Sequence, residues 1–160
     1  MQSKLKKVGS SLMAVFFAGA ILKYCSFSKE MLERERKEKE KNRAILRMFS
    51  KWIQNKHAGK MIESYLREMN FHTIAIYGMS DAGIRLYEEL KNTKIKVEYA
   101  IDRRAVELED DIRVVSVNEE LPKVDVIIVT AIYDFPEIAE TLKAKTESLV
   151  ISLEQIIYEI

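Results

Sequence analysis

The chain has 160 residues with 26 Lys and Arg against 25 Asp and Glu, a formal charge of +1. That length holds one compact domain of about 100 to 150 residues with an appendage, and a balanced charge without a basic, aromatic-interleaved stripe argues against nucleic acid as partner. The single cysteine, Cys25, excludes an internal disulfide framework and fits a reducing compartment; with only His57 and His72 beside it, no structural metal site is expected.

From Val8 to Leu22 the chain carries no charge, follows Lys4, Lys6 and Lys7, and is apolar around every side of a helix. Three readings stand for residues 1–27. A membrane anchor is favoured by the basic flanks, because the cations from Lys29 to Arg43 outnumber the N-terminal lysines and would keep the following chain on the cytoplasmic side. The run is shorter than the roughly 20 apolar residues of a bilayer span, unless Lys23 snorkels and the helix continues to Phe27. A cleaved signal peptide and a buried packing helix are the other two.

Residues 28–70 are expected to be helical throughout. Ser28 to Arg43 alternates Glu with Lys or Arg at i,i+3 and i,i+4, the pattern of a solvated spacer helix without a sustained heptad seam. Ile45, Met48, Phe49, Trp52 and Ile53 then recur at helical spacing. A second helix over Lys60 to Met69 repeats the stripe and closes at Asn70 in a left-handed cap. Together they read as a helical hairpin packed beside the following domain.

Residues 71–160 alternate strand and helix. Strands are expected at Thr73–Tyr77, Val97–Ile101, Ile112–Val115, Val124–Val129 and Leu149–Ser152. Helices are expected at Ala82–Lys91, briefly around Glu119, at Pro136–Lys145 and at Leu153–Tyr158. Unbroken Val/Ile runs mark strands buried on both faces, and the alternation predicts an α/β fold: a doubly wound, reduced Rossmann-like parallel sheet of about five strands.

One turn points to a ligand. After the strand Ile74–Tyr77 comes Gly78-x-Ser80-x-x-Gly83, then a helix. In such units the glycines allow a tight turn and close approach to a pyrophosphate, while the new helix offers free amides and a positive dipole end. Ser80 stands where the dinucleotide fingerprint has its middle glycine, so its side chain either crowds a phosphate or donates to it. Asp81 places a carboxylate at the same mouth. Tight turning and close helix-strand packing alone would also account for Gly78 and Gly83.

Asp102 ends the second strand about 20 residues beyond the turn, where an acid can bind a ribose diol or merely cap a loop. Arg103 and Arg104 follow, suited to a 2′-phosphate or a diphosphate, or to solvent. Thr130, Tyr133 and Asp134 fall after the fourth strand, near the switch point. Tyr133 could stack on a base or face solvent, and Asp134 before Pro136 also fits a helix cap. No Tyr-Lys acid/base pair accompanies them, so catalysis by this chain alone is not expected.

The runs Ile74–Met79, Leu86–Leu90, Tyr99–Arg103 and Val124–Thr130 resemble the small Rossmann-like NAD(P)- or nucleotide-sugar-binding domains of bacterial surface-polysaccharide biosynthesis proteins, over roughly residues 60–160. Related sheets open sugar acyltransferases, where they hold a nucleotide-sugar, and occur in sugar epimerases and dehydratases, where they hold a nicotinamide cofactor. The resemblance implies a NAD, NADP or nucleotide-sugar ligand in capsule or glycan assembly; taken with the basic flanks of the N-terminal segment, the expectation is a binding module, cytoplasmic or held at the inner membrane face, working with a glycan-synthesis enzyme or a second copy. The chain lacks a left-handed β-helix repeat and a second substrate domain, and has Ser80 for glycine. The expected contacts are Gly78, Ser80 and Gly83 for the phosphates, with Asp81 at the mouth of that site, Asp102 for the ribose, Arg103 for a 2′-phosphate or a diphosphate, and Thr130 and Tyr133 for base or sugar. Two other readings are a sugar epimerase or oxidoreductase completed by a partner chain, and an adaptor whose sheet is empty.

Overall fold

No glycine or proline interrupts the chain between Gly19 and Gly59, and a single helix, α1 (Gln2–His57), runs through that stretch. The computed structural model describes the backbone of residues 2–102 and 112–160, and the side chains of residues 23–102 and 112–160. Arg103 and Arg104 lie outside the described residues, as do the side chains of the apolar segment 8–22 on which the anchor expectation rests. Among the described residues no helix is long and apolar enough to cross a membrane. The chain divides into two units, Met1–Arg43 and Ala44–Ile160.

In the first unit the charged stretch is helical and solvated, as its Glu/Lys spacing requires, and Tyr24, Phe27, Met31 and Leu32 are exposed on it. The second unit begins with the last turns of α1. They end in a Schellman motif, with Lys60 N–H on the Asn55 carbonyl at 2.9 Å and Gly59 N–H on Lys56 at 3.0 Å. Gly59 takes φ +72°, which the motif demands of its left-handed residue. Helix α2 (Ile62–Glu68) closes in the same way with Asn70 at φ 61°, the cap expected from the sequence.

The sheet comprises β1 (Thr73–Tyr77), β2 (Lys96–Ile101), β3 (Val114–Val115), β4 (Val126–Val129) and β5 (Leu149–Ser152). All pairings are parallel, in the order β3-β2-β1-β4-β5. Helices α3 (Asp81–Leu90), α4 (Phe135–Lys143) and α5 (Leu153–Glu159) follow β1, β4 and β5. The fold is therefore the reduced Rossmann-like α/β sheet read from the strand pattern. The short helix expected around Glu119 is absent: Glu119 closes a turn instead, its carboxylate accepting from Ser116 N–H at 2.8 Å.

Because side chains alternate along a strand, the sheet has two unlike faces. Ile74, Ile76, Ala100, Val126, Ile128 and Ile151 pack on one side under α3, α5 and the hairpin of α1 and α2, which contributes Met48, Trp52, Ile62 and Leu66. Ala75, Tyr77, Tyr99, Ile101, Ile127 and Val129 pack on the other against α4 and the β3–β4 connection. Residues 44–70 thus share one core with the sheet. A single carboxylate pins the hairpin to α3: Glu89, its side chain 3% exposed, pairs with Lys56 at 3.0 Å and accepts from the Trp52 indole at 3.0 Å. It also accepts from Ile62 N–H at 3.4 Å.

Candidate functional site

Successive strands lie on opposite sides of β1, so β1 and β4 flank the topological switch point at whose carboxyl edge open α/β sheets take their ligands. The glycine turn sits there. Gly78 adopts φ +90°, and a Cβ on it would come within 2.9 Å of Thr130 Oγ1. Gly78 N–H continues the ladder to the Ile101 carbonyl at 2.8 Å. Its own carbonyl turns inward, 2.7 Å from the donating Thr130 hydroxyl, which also lies 3.1 Å from the Tyr77 carbonyl.

Gly83 completes this arrangement from α3. A Cβ at Gly83 would stand 2.0 Å from the Gly78 carbonyl oxygen, so only a glycine lets the helix seat against the end of β1. The sequence placed Gly78, Gly83 and Thr130 at one site, and they do meet. What joins them is the packing of the turn itself.

Asp102 stands at the end of β2, half-buried, with its Oδ2 accepting the Met79 N–H at 2.8 Å. The acid expected to meet a ribose thus holds the backbone of the glycine turn while also lining the crevice beside Gly78. Ser80 is the exposed N-cap of α3, in extended conformation and without a side-chain capping bond. Asp81 is the exposed first residue of that helix, favourable to its dipole.

A cavity of about 700 Å³ opens between Gly78, Asp102 and α4. Tyr77, Gly78 and Ala131 form one side, Ile138 supplies an apolar wall, and Asp102, Asp134 and Glu137 bring carboxylates to it. Glu137 was not singled out from the sequence. Pro136 at the start of α4 was the available signal, since it places Glu137 in the first turn of a helix that begins at the carboxyl edge. Asp134 occupies the N-cap position of α4, but its side chain makes no capping bond.

Tyr133 falls elsewhere. It is 42% exposed and lines a separate cavity of about 590 Å³ with Phe135, Ser152 and Tyr158. Gly78, Asp102 and Thr130 are therefore brought together, and Tyr133 faces another opening. No cluster of His, Cys, Asp or Glu fit to hold a metal occurs among the described residues.

Elsewhere in the fold, hydrogen bonds and burial displace the titration of several groups. Asp125, at the amino edge before β4, accepts the N–H groups of His72 and Thr73 at 2.8 Å each, which hold its carboxyl below the usual range. Burial and the neighbouring Glu159 carboxylate push the Tyr65 phenol up to about 12. Burial likewise raises Tyr99, whose hydroxyl donates to the Pro122 carbonyl at 2.6 Å. These are structural bonds. The crevice itself sets the carboxylates of Asp102, Asp134 and Glu137, which accept hydrogen bonds, around an apolar wall.

Comparison with family models, with curated proteins and with solved structures returns no match.

Proposed function

We propose that the crevice at the β1–β4 switch point binds a nucleotide, NAD or NADP or a nucleotide-sugar, and that the chain acts as a binding module beside enzymes of bacterial polysaccharide assembly. The observation that carries this reading is the cavity of about 700 Å³ against Gly78 and Asp102. It falls within the size range of about 300 to 1,000 Å³ typical of ligand pockets, at the edge where this sheet class binds them.

Carboxylates accept hydrogen bonds from sugar hydroxyls and repel phosphate. The ribose or sugar therefore belongs beside Asp102, Asp134 and Glu137, and the diphosphate outside, towards Ser80 and the first amides of α3. The apolar run within residues 8–27, with its basic flanks, would attach the chain to the inner membrane face. An epimerase or oxidoreductase would need a partner chain to supply the acid/base pair.

A second reading is favoured by the bonds of the turn. Asp102 on Met79, Thr130 on Gly78 and Gly83 against the Gly78 carbonyl each have a structural use without any ligand. On that reading the sheet is a scaffold and its helices make the functional contacts.

Thermal unfolding of the full chain with NAD, NADP, UDP-sugars and GDP-sugars separates the two. A bound nucleotide at 100 times its dissociation constant stabilises by about 2.7 kcal/mol. The expected result is a shift with one of these ligands that disappears in Asp102→Ala, each variant being compared with its own ligand-free baseline. Absence of a shift with every nucleotide would overturn the binding reading in favour of the scaffold.

A further inference from the structure

Tyr133 and Tyr158 stand in water without serving the core. Helix α5 packs through Leu153, Ile156 and Ile157 and leaves Tyr158 51% exposed, and the 3₁₀ segment Ile132–Asp134 buries Ile132 while leaving Tyr133 outside. Both rings line the cavity of about 590 Å³ at the carboxyl edge of β4 and β5, as does the half-buried Phe135. That cavity shares no lining residue with the crevice at Gly78.

Its polar lining is suited to positive charge. Glu154 supplies a half-buried carboxylate that no described residue pairs with, and no Lys or Arg lines the cavity. Gln155 commits an amide N–H to Glu159 at 2.9 Å and keeps its carbonyl oxygen as an acceptor. The Glu154 N–H, a donor that an anion could have used, is taken by Ser152 Oγ at 3.2 Å. Aromatic faces are themselves negative, so rings beside a carboxylate, with no cation among them, complement a cation.

We propose that this cavity binds a small organic cation bearing an alkylated ammonium group, its methyls against Tyr133, Tyr158 and Phe135 and its charge balanced by Glu154. The lining selects that chemistry. An anion would meet Glu154 and no cation, and a neutral apolar group would desolvate the carboxylate for nothing in return. A bare ammonium is strongly hydrated, whereas an alkylated one leaves water more readily and needs no acceptor for each hydrogen. The volume of about 590 Å³ lies within the range of small-molecule sites. The inference is independent of the nucleotide reading, because the two openings are built from different residues.

Isothermal titration of the full chain with tetramethylammonium and with choline tests it, beside glucose and 3,3-dimethylbutanol, the uncharged isostere of choline. The expected result is saturable binding of both cations, with choline at least about tenfold tighter than the alcohol. Tyr133→Leu with Tyr158→Leu keeps apolar surface but removes the ring faces, and should weaken choline by about tenfold. Glu154→Gln should weaken it by about threefold, since water screens a half-buried carboxylate. Both tyrosines are exposed, so an unchanged urea midpoint should show that the double variant still folds. No binding of either cation at about 10 mM, equal affinity for the alcohol, tighter binding of glucose than of choline, or indifference to the tyrosine pair would each overturn the proposal.

Discussion

Replacing Gly83 by alanine puts two physical effects in opposition, and the structure decides between them. Alanine in a helix is ordinarily better than glycine by about 1 kcal/mol. Here the new Cβ would stand 2.0 Å from the Gly78 carbonyl oxygen and 3.0 Å from its carbon. A carbon-oxygen contact relaxes at about 3.3 Å, so the start of α3 must retreat from β1 by about 1.3 Å, the difference from 2.0 Å. That oxygen cannot yield cheaply, because the Thr130 hydroxyl holds it at 2.7 Å. Overpacking of this kind costs about 1 to 3 kcal/mol. With the clash on backbone the upper end applies, which leaves a net loss of about 2 kcal/mol after the helix gain. In urea this appears as a midpoint lower by about 1 M at unchanged slope. A midpoint equal to the parent's or higher would refute the close seating of α3 on β1.

Two further outcomes follow from bonds outside the crevice. Glu89→Ala leaves the Trp52 indole N–H and the partly exposed Lys56 without their acceptor and should cost about 2 to 3 kcal/mol, whereas Glu89→Gln, which keeps an acceptor, should cost less than half of that; denaturant midpoints of the pair check it. For Asp125 the folded-state pKa is depressed by the amides of His72 and Thr73. The stability that its charge contributes is therefore present above the unfolded value of about 4 and is lost as pH falls through the lower folded value. Asp125→Asn should flatten that part of the acid limb in a urea titration between about pH 5 and pH 2, and an unchanged limb would refute the assignment.

The sheet was legible because its signals are local. Val126 to Val129 is buried on every residue, and a run of β-branched side chains can be little else than an inner parallel strand. Both left-handed caps, Asn70 and Gly59, take positive φ, and Asn70 was readable from its place after a helical stripe. The site was only half legible. Spacing alone put Gly78, Gly83 and Thr130 together, but it could not distinguish a carboxylate awaiting a ribose from one already on the Met79 amide, since both uses need the same Asp102. Of the two uses open to Tyr133, base stacking or solvent, the structure has it exposed and away from the crevice. The chain turns through a short 3₁₀ segment at Ile132–Asp134, and the side chains after β4 consequently point to two different openings. The role of Glu89 had no signature at all, because one acid among the charged residues of α3 looks like any other until α1 packs over it.

That single carboxylate also bears on how the chain can be divided. Its three donors come from Trp52, Lys56 and Ile62, so the hairpin and α3 form or break their shared bonds together. A fragment begun at Thr73, where the strand pattern starts, would uncover Ile74, Ile76, Leu86 and Leu90 to water and leave Glu89 with no donor from the hairpin. The hairpin is thus the missing outer layer of a sheet too small to shelter its own second face, and the natural place to cut for expression, proteolysis or fusion lies before Ala44.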